Sequence, residues 1–257
     1  MIQSVDRALK ILGVLQGGRR MSLGEIAAWL DLPASTVHGI IRTLLAHGMV
    51  QQERDSARYR LGPATLRLGN VYLDTLELRA RAAPWAESLA EQTGFGVRTG
   101  VLLLTDVVVV QHSPRPGGSR QMPEVGIVIP SHASALGKVL LSYDRDVREQ
   151  VLGEESLRRS MTGETVTDAD QLMSQLEEVR GTGIAREIEE AVLGECCLAA
   201  PLAGVGDEVS GALGLVVPSG DWPVTQSVVD ALRGAARAIS RELGSMTWPP
   251  LPSEGLK

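Results

Sequence analysis

Ser35, Thr36, His38, Gly39, Arg42 and Thr43 lie on one side of a stretch whose other side is Val37, Ile40, Ile41, Leu44 and Leu45. That three- and four-residue recurrence is the signature of a helix with a single buried stripe. The chemistry open to the polar side is hydrogen bonding to phosphates and to base edges. Ser35 and Thr36 can bond phosphate near the helix start, and Arg42 can fork onto guanine or clamp a phosphate. Gly39 carries no side chain that would hold a duplex away. Downstream, Arg54, Arg58 and Arg60 fall on or beside a short hairpin turned at Asp55-Ser56-Ala57.

These residues need elements to position them, and the flanking sequence supplies the signals. Ser22 and Glu25 have the spacing of a capping box, which starts a helix whose apolar side is Leu23, Ile26, Ala27 and Leu30. Leu32-Pro33 stops it, because proline disfavours the helical conformation of the residue before it and fits the first turn of the next helix. The second helix then runs from about Ala34 to His47. The run MVQQERDSARYRLG after Gly48 reads as two short strands, which makes the hairpin a wing. Ser4 to Gln16 forms a leading helix that braces the pair. The competing reading is a structural helical hairpin with a solvated face, since helices joined by a proline turn are common.

Charge separates the two readings. Residues 1–70 carry nine Arg or Lys against five Asp or Glu, a net of +4, and the remaining 187 residues carry 16 against 26, a net of −10. The whole-chain charge of −6 therefore combines a basic module with an acidic one. A localised basic surface is what phosphate contact requires. Aromatic content of 3% leaves no stacking platform for single strands, so double-stranded DNA is the expected target.

At 257 residues with 44% apolar content the chain can bury one large or two modest cores, and the charge break favours two. The longest apolar run, Val101 to Val110, is interrupted by Thr105 and Asp106, and the N-terminus lacks a secretory pattern. A soluble cytoplasmic protein with no membrane partner is expected. Cys196 and Cys197 are adjacent, and vicinal cysteines seldom bridge because the geometry is strained.

Beyond the wing, Pro63 opens a helical pattern through Leu78, and a further helix from about Arg81 ends before Gly94. The two read as a connector. From Gly96 the pattern turns to strands on either side of Thr105-Asp106, with another at Val125 to Ile129. Helices follow at Ala135 to Leu141, Asp144 to Leu152 and Asp168 to Thr182. Strands at Glu195 to Leu202 and Val209 to Val217 and a closing helix from Val224 to Leu243 complete an α/β sensor-like domain. The expected boundaries are 1–62 for the reader domain, 63–94 for the linker helices, 95–245 for the sensor and 246–257 for a mobile, proline-rich tail.

Enzymatic readings are weaker. Gly137-Lys138 lacks the other residues of a phosphate loop, with His132 where its first glycine belongs and Val139 where Ser or Thr belongs. Cys197 with His132 or His112 could imitate a thiol nucleophile and base, but with no helix start or basic setting around it a small buried cysteine is the favoured reading. His38, His47, His112 and His132 show no paired metal spacing. No catalytic residue, cofactor or metal site is expected. His38 is a better groove contact, and His47 a helix C-terminal cation.

With these blocks in place, the chain resembles the IclR-type bacterial transcriptional regulators over nearly its full length. The likeness rests on IQSVDRALKIL, LPASTVHGIIRTLLAHGMV, RYRLGP, IPSHASALGKVLLS, the segment from TVTDADQ to CLAAPLAG, and GALGLVVPSG, all in the family's order. It implies an α+β chain with an N-terminal winged helix-turn-helix, a linker helix and a C-terminal GAF-like effector domain. It also implies a homodimer or dimer of dimers on operator DNA, answering a small molecule, often an organic or aromatic acid. Carried over from the family, the effector candidates are Ala135, Leu136, Glu187, Cys197, Gly214 and Val216. The first two precede a short helix whose free N–H groups could receive a carboxylate. Gly214 and Val216 stand where hydroxyl residues can occur, which favours a larger and more apolar ligand, or none.

The expected function is a ligand-responsive transcriptional regulator, a repressor in preference to an activator, on a pseudo-palindrome with reader helices about one helical turn apart. The alternatives are a metabolite-binding or interaction module without transcriptional control, and an enzyme built on the C-terminal domain.

Overall fold

The computed structural model describes residues 1–17, 19–117 and 124–250, and the chain divides into two compact units, Met1–Thr75 and Leu76–Lys257. In the first unit α1 (Gln3–Val14), α2 (Leu23–Leu30) and α3 (Ala34–Ala46) precede a two-stranded antiparallel sheet and a fourth helix. The strands are β1 (Val50–Gln52) and β2 (Tyr59–Leu61), with Gln51 opposite Arg60, and Met21 bridges to Tyr59 as a third short rung. Ile11, Leu15, Ile26, Val37, Ile41, Leu44, Val50 and Tyr59 form one core, so the apolar stripes expected on the three helices meet. The Ser22 hydroxyl accepts the Glu25 N–H at 3.3 Å while the Glu25 carboxylate accepts the Ser22 N–H at 2.7 Å, closing the capping box. Gly62 is required by its close approach to the chain: a Cβ there would lie 2.2 Å from the Gly48 carbonyl oxygen. That close passage lets α4 (Pro63–Thr75) start directly after the wing.

The expected linker of residues 63–94 is divided between the units. α4 has no buried residue, whereas α5 (Glu77–Thr93) buries Leu78, Ala82, Ala86, Leu89 and Ala90 and belongs to the second unit. A single extended residue, Leu76, separates the two helices.

The second unit is built on a six-stranded antiparallel sheet in the order β5-β4-β3-β8-β7-β6. Its strands are β3 (Gly96–Leu103), β4 (Asp106–Ser113), β5 (Val128–Pro130), β6 (Ala185–Ile188), β7 (Glu195–Ala203) and β8 (Val209–Pro218). β6 goes beyond the expected strands; its four residues alternate buried and exposed, a signal too short to read against helix-compatible Ala, Arg and Glu. α5 and α9 (Gln226–Glu242) pack together on one face. α6 (Ala135–Tyr143), with α7 (Arg145–Gly153) and α8 (Ala169–Thr182) beside it, covers the other. The α+β class therefore stands as expected.

α6 is buried from Ala135 to Ser142 because the sheet beneath it is cut back to glycine. Leu136 occupies the resulting notch: a Cβ on Gly214 would approach its Cδ2 to 3.0 Å and one on Gly100 its Cδ1 to 3.3 Å. Gly137 is a packing glycine, since a Cβ there would fall 2.2 Å from Ser131 Cα. The expected mobile tail also differs in its first part. Asp207 accepts hydrogen bonds from Ser245 Oγ and from the Met246 and Thr247 N–H groups, and Trp248 Nε1–H donates to the Pro201 carbonyl at 3.1 Å. Residues 251–257 lie outside the described residues.

Candidate DNA-reading surface and effector cavity

In the first unit Ser35, His38, Gly39, Arg42 and Thr43 are exposed together along α3, with Thr36 half-buried at the edge of the same stripe. Nothing within 4 Å would meet a Cβ on Gly39, so the middle of the stripe is open. The Thr43 hydroxyl donates back to the Gly39 carbonyl at 3.3 Å. Arg42 has no ion pair among the described residues. The wing is more self-contained than its sequence suggests. Arg58 donates to both oxygens of Glu25, at 2.9 and 3.2 Å, and to the Arg20 carbonyl at 2.8 Å. Its guanidinium thereby ties wing to cap. Glu53 draws in Arg20 at 3.2 Å and Arg60 at 3.9 Å. Arg54, exposed in the turn, has no such partner among the described residues. Arg58, expected as a DNA contact, is tied to Glu25 with its side chain 41% exposed, and Arg42 and Arg54 are the expected cationic contacts without an ion pair among the described residues.

The six effector candidates of the second unit are brought together, but mostly as packed core. Ala135, Leu136 and Cys197 share one cluster, and Gly214 lies against Leu136 as described. Glu187 and Val216 both pair in register with Cys197, from opposite neighbouring strands. The α6 N-terminus, expected to offer N–H groups to a carboxylate, is capped by Ser134, whose hydroxyl accepts the Gly137 N–H at 3.1 Å. The Glu187 carboxylate accepts N–H bonds from Glu190 at 2.6 Å and Ala191 at 3.2 Å, which closes the β6–β7 turn. Burial pushes the Cys197 thiol well above its ordinary value, with Glu187 adding to the rise, away from the reactive thiolate. Lys138, of the incomplete phosphate loop, is buried against Glu190 at 2.5 Å.

Burial also pushes Glu187 up to about 7, against its two backbone N–H partners and with Glu190 adding to the rise. The unfolded chain releases this proton near the ordinary value of 4.5, and the folded chain near 7. The stabilisation contributed by the protonated carboxyl is therefore fully present below about pH 4.5 and is lost as pH rises through about 7. Glu187→Gln keeps the acceptor and removes the titration. Calorimetric melting from about pH 5 to about pH 8 should show the wild type losing stability relative to the variant, with a slope approaching one proton per chain. Parallel curves would refute this assignment.

An open volume lies beside Val216. A cavity of about 210 Å³ is bordered by Gly96, His112, Arg115, Glu124, Glu195 and Val216, with Gly194 and Pro218 completing it. Arg98, opposite Gly214 and so on the sheet face that carries Val216, organises its charges. Its Nε donates to Glu124, while its Nη1 and Nη2 donate to the two oxygens of Glu195 at 2.6 and 3.3 Å. Burial alone would lower Arg98, but the two carboxylates more than reverse this. Burial raises Glu124, and Arg98 outweighs it to hold the carboxyl below the usual range. His112, 3.6 Å from Glu124, is lowered chiefly by burial, against the pull of Glu124. Arg98, Glu124 and Glu195 are not among the residues the sequence singles out, and His112 is weighed there only as a base for Cys197 or a metal ligand. The one available sign is Arg98 itself, an arginine at an inward position of an apolar strand, where burial demands a partner.

The comparisons agree with both units. The family described as bacterial transcriptional regulator IclR C-terminal matches residues 70–241, and the IclR helix-turn-helix domain matches residues 4–54. The glycerol operon regulatory protein of Streptomyces coelicolor is 41% identical over 253 residues, covering 95% of this chain and 97% of its own. Its namesake in Streptomyces griseus is 42% identical over 249 residues, with the same shares. The crystal structure of an IclR transcriptional regulator from Alicyclobacillus acidocaldarius superposes with a TM-score of 0.80 at 26% identity, covering 95% of this chain and all of that one. With a wing and reader helix in one unit, a six-stranded sensor sheet in the other, and both halves matched in order, the chain belongs to the IclR family of bacterial transcriptional regulators.

Proposed function

We propose that this chain is an operator-binding repressor whose α3 enters the major groove and whose second unit takes up a small-molecule effector. The observation that carries the reading is the exposed stripe from Ser35 to Thr43, with Arg42 uncommitted, on a unit of net positive charge. Ser35, Thr36, His38, Gly39, Arg42, Thr43 and Arg54 are the proposed contacts, with Arg58 in support. Cys197 supplies no nucleophile in this reading, because burial holds its thiol protonated.

A second copy completes the reader. α4 exposes Leu68, Val71 and Tyr72 at 57%, 60% and 49%, one helical stripe of apolar side chains suited to pairing. A dimer places two reader helices about one helical turn apart on a pseudo-palindrome. For the effector to switch binding it must favour one arrangement by roughly 1–3 kcal/mol. The Streptomyces relatives are named for a glycerol operon, which favours an operon of small-polyol use as the target. No helix of the described residues is long and apolar enough to cross a membrane, in keeping with a cytoplasmic regulator.

Selection of genomic fragments by the purified protein at one fixed physiological salt concentration tests this directly, since specificity depends on salt. Enrichment of a short inverted repeat upstream of genes is expected. Recovery unrelated to sequence would favour the other reading, a metabolite-binding module without transcriptional control.

A further inference from the structure

We infer that the effector cavity beside Val216 is built for an uncharged polyhydroxyl compound, held by the carboxylates of Glu195 and Glu124, in place of the organic or aromatic acid that the family likeness implies. The inference rests on the effector-controlled reading above and deepens it.

The argument is one of charge and lone pairs. Two carboxylates border the cavity and share one guanidinium, so Glu124, Glu195 and Arg98 together carry one net negative charge. Arg115, the cation among the bordering residues, faces Asp221 at 3.5 Å and lies over the Phe95 ring at 5.7 Å. His112 stands with its Nε2 3.6 Å from Glu124, and burial lowers its imidazole. An anionic ligand entering here meets two like charges and one cation, Arg115, whose charge Asp221 offsets, and to reach Arg98 it must displace a carboxylate and leave that group unpaired in a half-buried site. A hydroxyl group meets the opposite situation. Each ionised carboxylate oxygen has lone pairs beyond those Arg98 engages, so O–H donors are accepted without breaking the ion pair. Bonds to an ionised acceptor are the stronger kind. Adjacent hydroxyls on one carbon chain can bond both oxygens of Glu195, and the apolar wall of Val216 and Pro218 takes the C–H face. The guanidinium is then a positioning group that fixes both acceptors, and Glu195 and Glu124 determine specificity.

Isothermal titration of the full chain with glycerol, erythritol, xylitol and mannitol, and separately with glycerol 3-phosphate and 4-hydroxybenzoate, reads the class of ligand without DNA. At least one neutral polyol is expected to bind saturably, more tightly than either anion, and to release the chain from its selected operator. Glu195→Gln should weaken that polyol at least tenfold by removing a charged acceptor, and Val216→Leu should do so by filling the cavity with all charges retained. Tighter binding of an anion, no saturable polyol heat up to millimolar concentration, or polyol binding that survives both substitutions would overturn the inference. A chain that binds its operator but ignores polyols refutes only the ligand class. A chain that binds no operator refutes the regulator reading, while the titration still reports on the cavity.

Discussion

Lys138→Met should lower the unfolding free energy by about 3–5 kcal/mol, the range for breaking a buried pair from one side. Lys138 and Glu190 are 1% and 7% exposed at the side chain, with Nζ donating to Glu190 Oε1 at 2.5 Å and to the Arg186 carbonyl at 3.4 Å. Burial pulls the ammonium below the ordinary lysine range, and Glu190 draws it back up. Glu190 has no slack, because its Oε2 is buried with no partner among the described residues. Methionine fills the lysine volume and leaves a carboxylate without its one ion-pair partner among the described residues. Lys138→Met/Glu190→Leu should recover most of the loss, because paired ions exchanged for apolar groups of similar size are close to neutral. Urea midpoints with unchanged slopes decide it. A single variant within about 1 kcal/mol of wild type would show that water reaches the pair.

Arg42→Ala should weaken operator binding by about 1–3 kcal/mol where the guanidinium reads a base edge, and flatten the preference at that base pair. If Arg42 instead clamps a phosphate, all sequences weaken alike and the salt slope falls by about one. Arg58→Ala is the matched control. Its charge is already taken by Glu25, itself half-exposed, so the bridge adds little to the fold and its removal should leave base preference intact. Binding to competing oligonucleotides at two salt concentrations separates the two cases. Equal weakening by both substitutions would mean that the wing bridge opens on DNA; unchanged binding by Arg42→Ala would remove that residue from the interface.

The contrast between Arg42 and Arg58 shows where the sequence can be read. The α2–turn–α3 segment is legible because its determinants are local. Ser22 and Glu25 are three residues apart, Pro33 acts on its neighbour, and the stripe from Val37 to Leu45 repeats at helical spacing. The role of Arg58 is hidden because its partner lies 33 positions away, and nothing in the wing announces Glu25.

The second unit divides the same way. Apart from β6, strand and helix order follow from periodicity, and the motif blocks indicate the family, so the α+β class and the regulator role are set by sequence. The tertiary structure decided which residues face space and which face each other. Leu136 closes the expected pocket because Gly100 and Gly214, far apart in the chain, form one notch when β3 pairs with β8. The cavity charges arise because Arg98, Glu124 and Glu195 converge from three separate segments. Local pattern fixes the conformation of a segment, since neighbouring residues share its hydrogen bonds and its buried face. Pairings across the chain are chosen by the packing of the whole unit, and in this protein those pairings settle which charges remain free to meet DNA or a ligand.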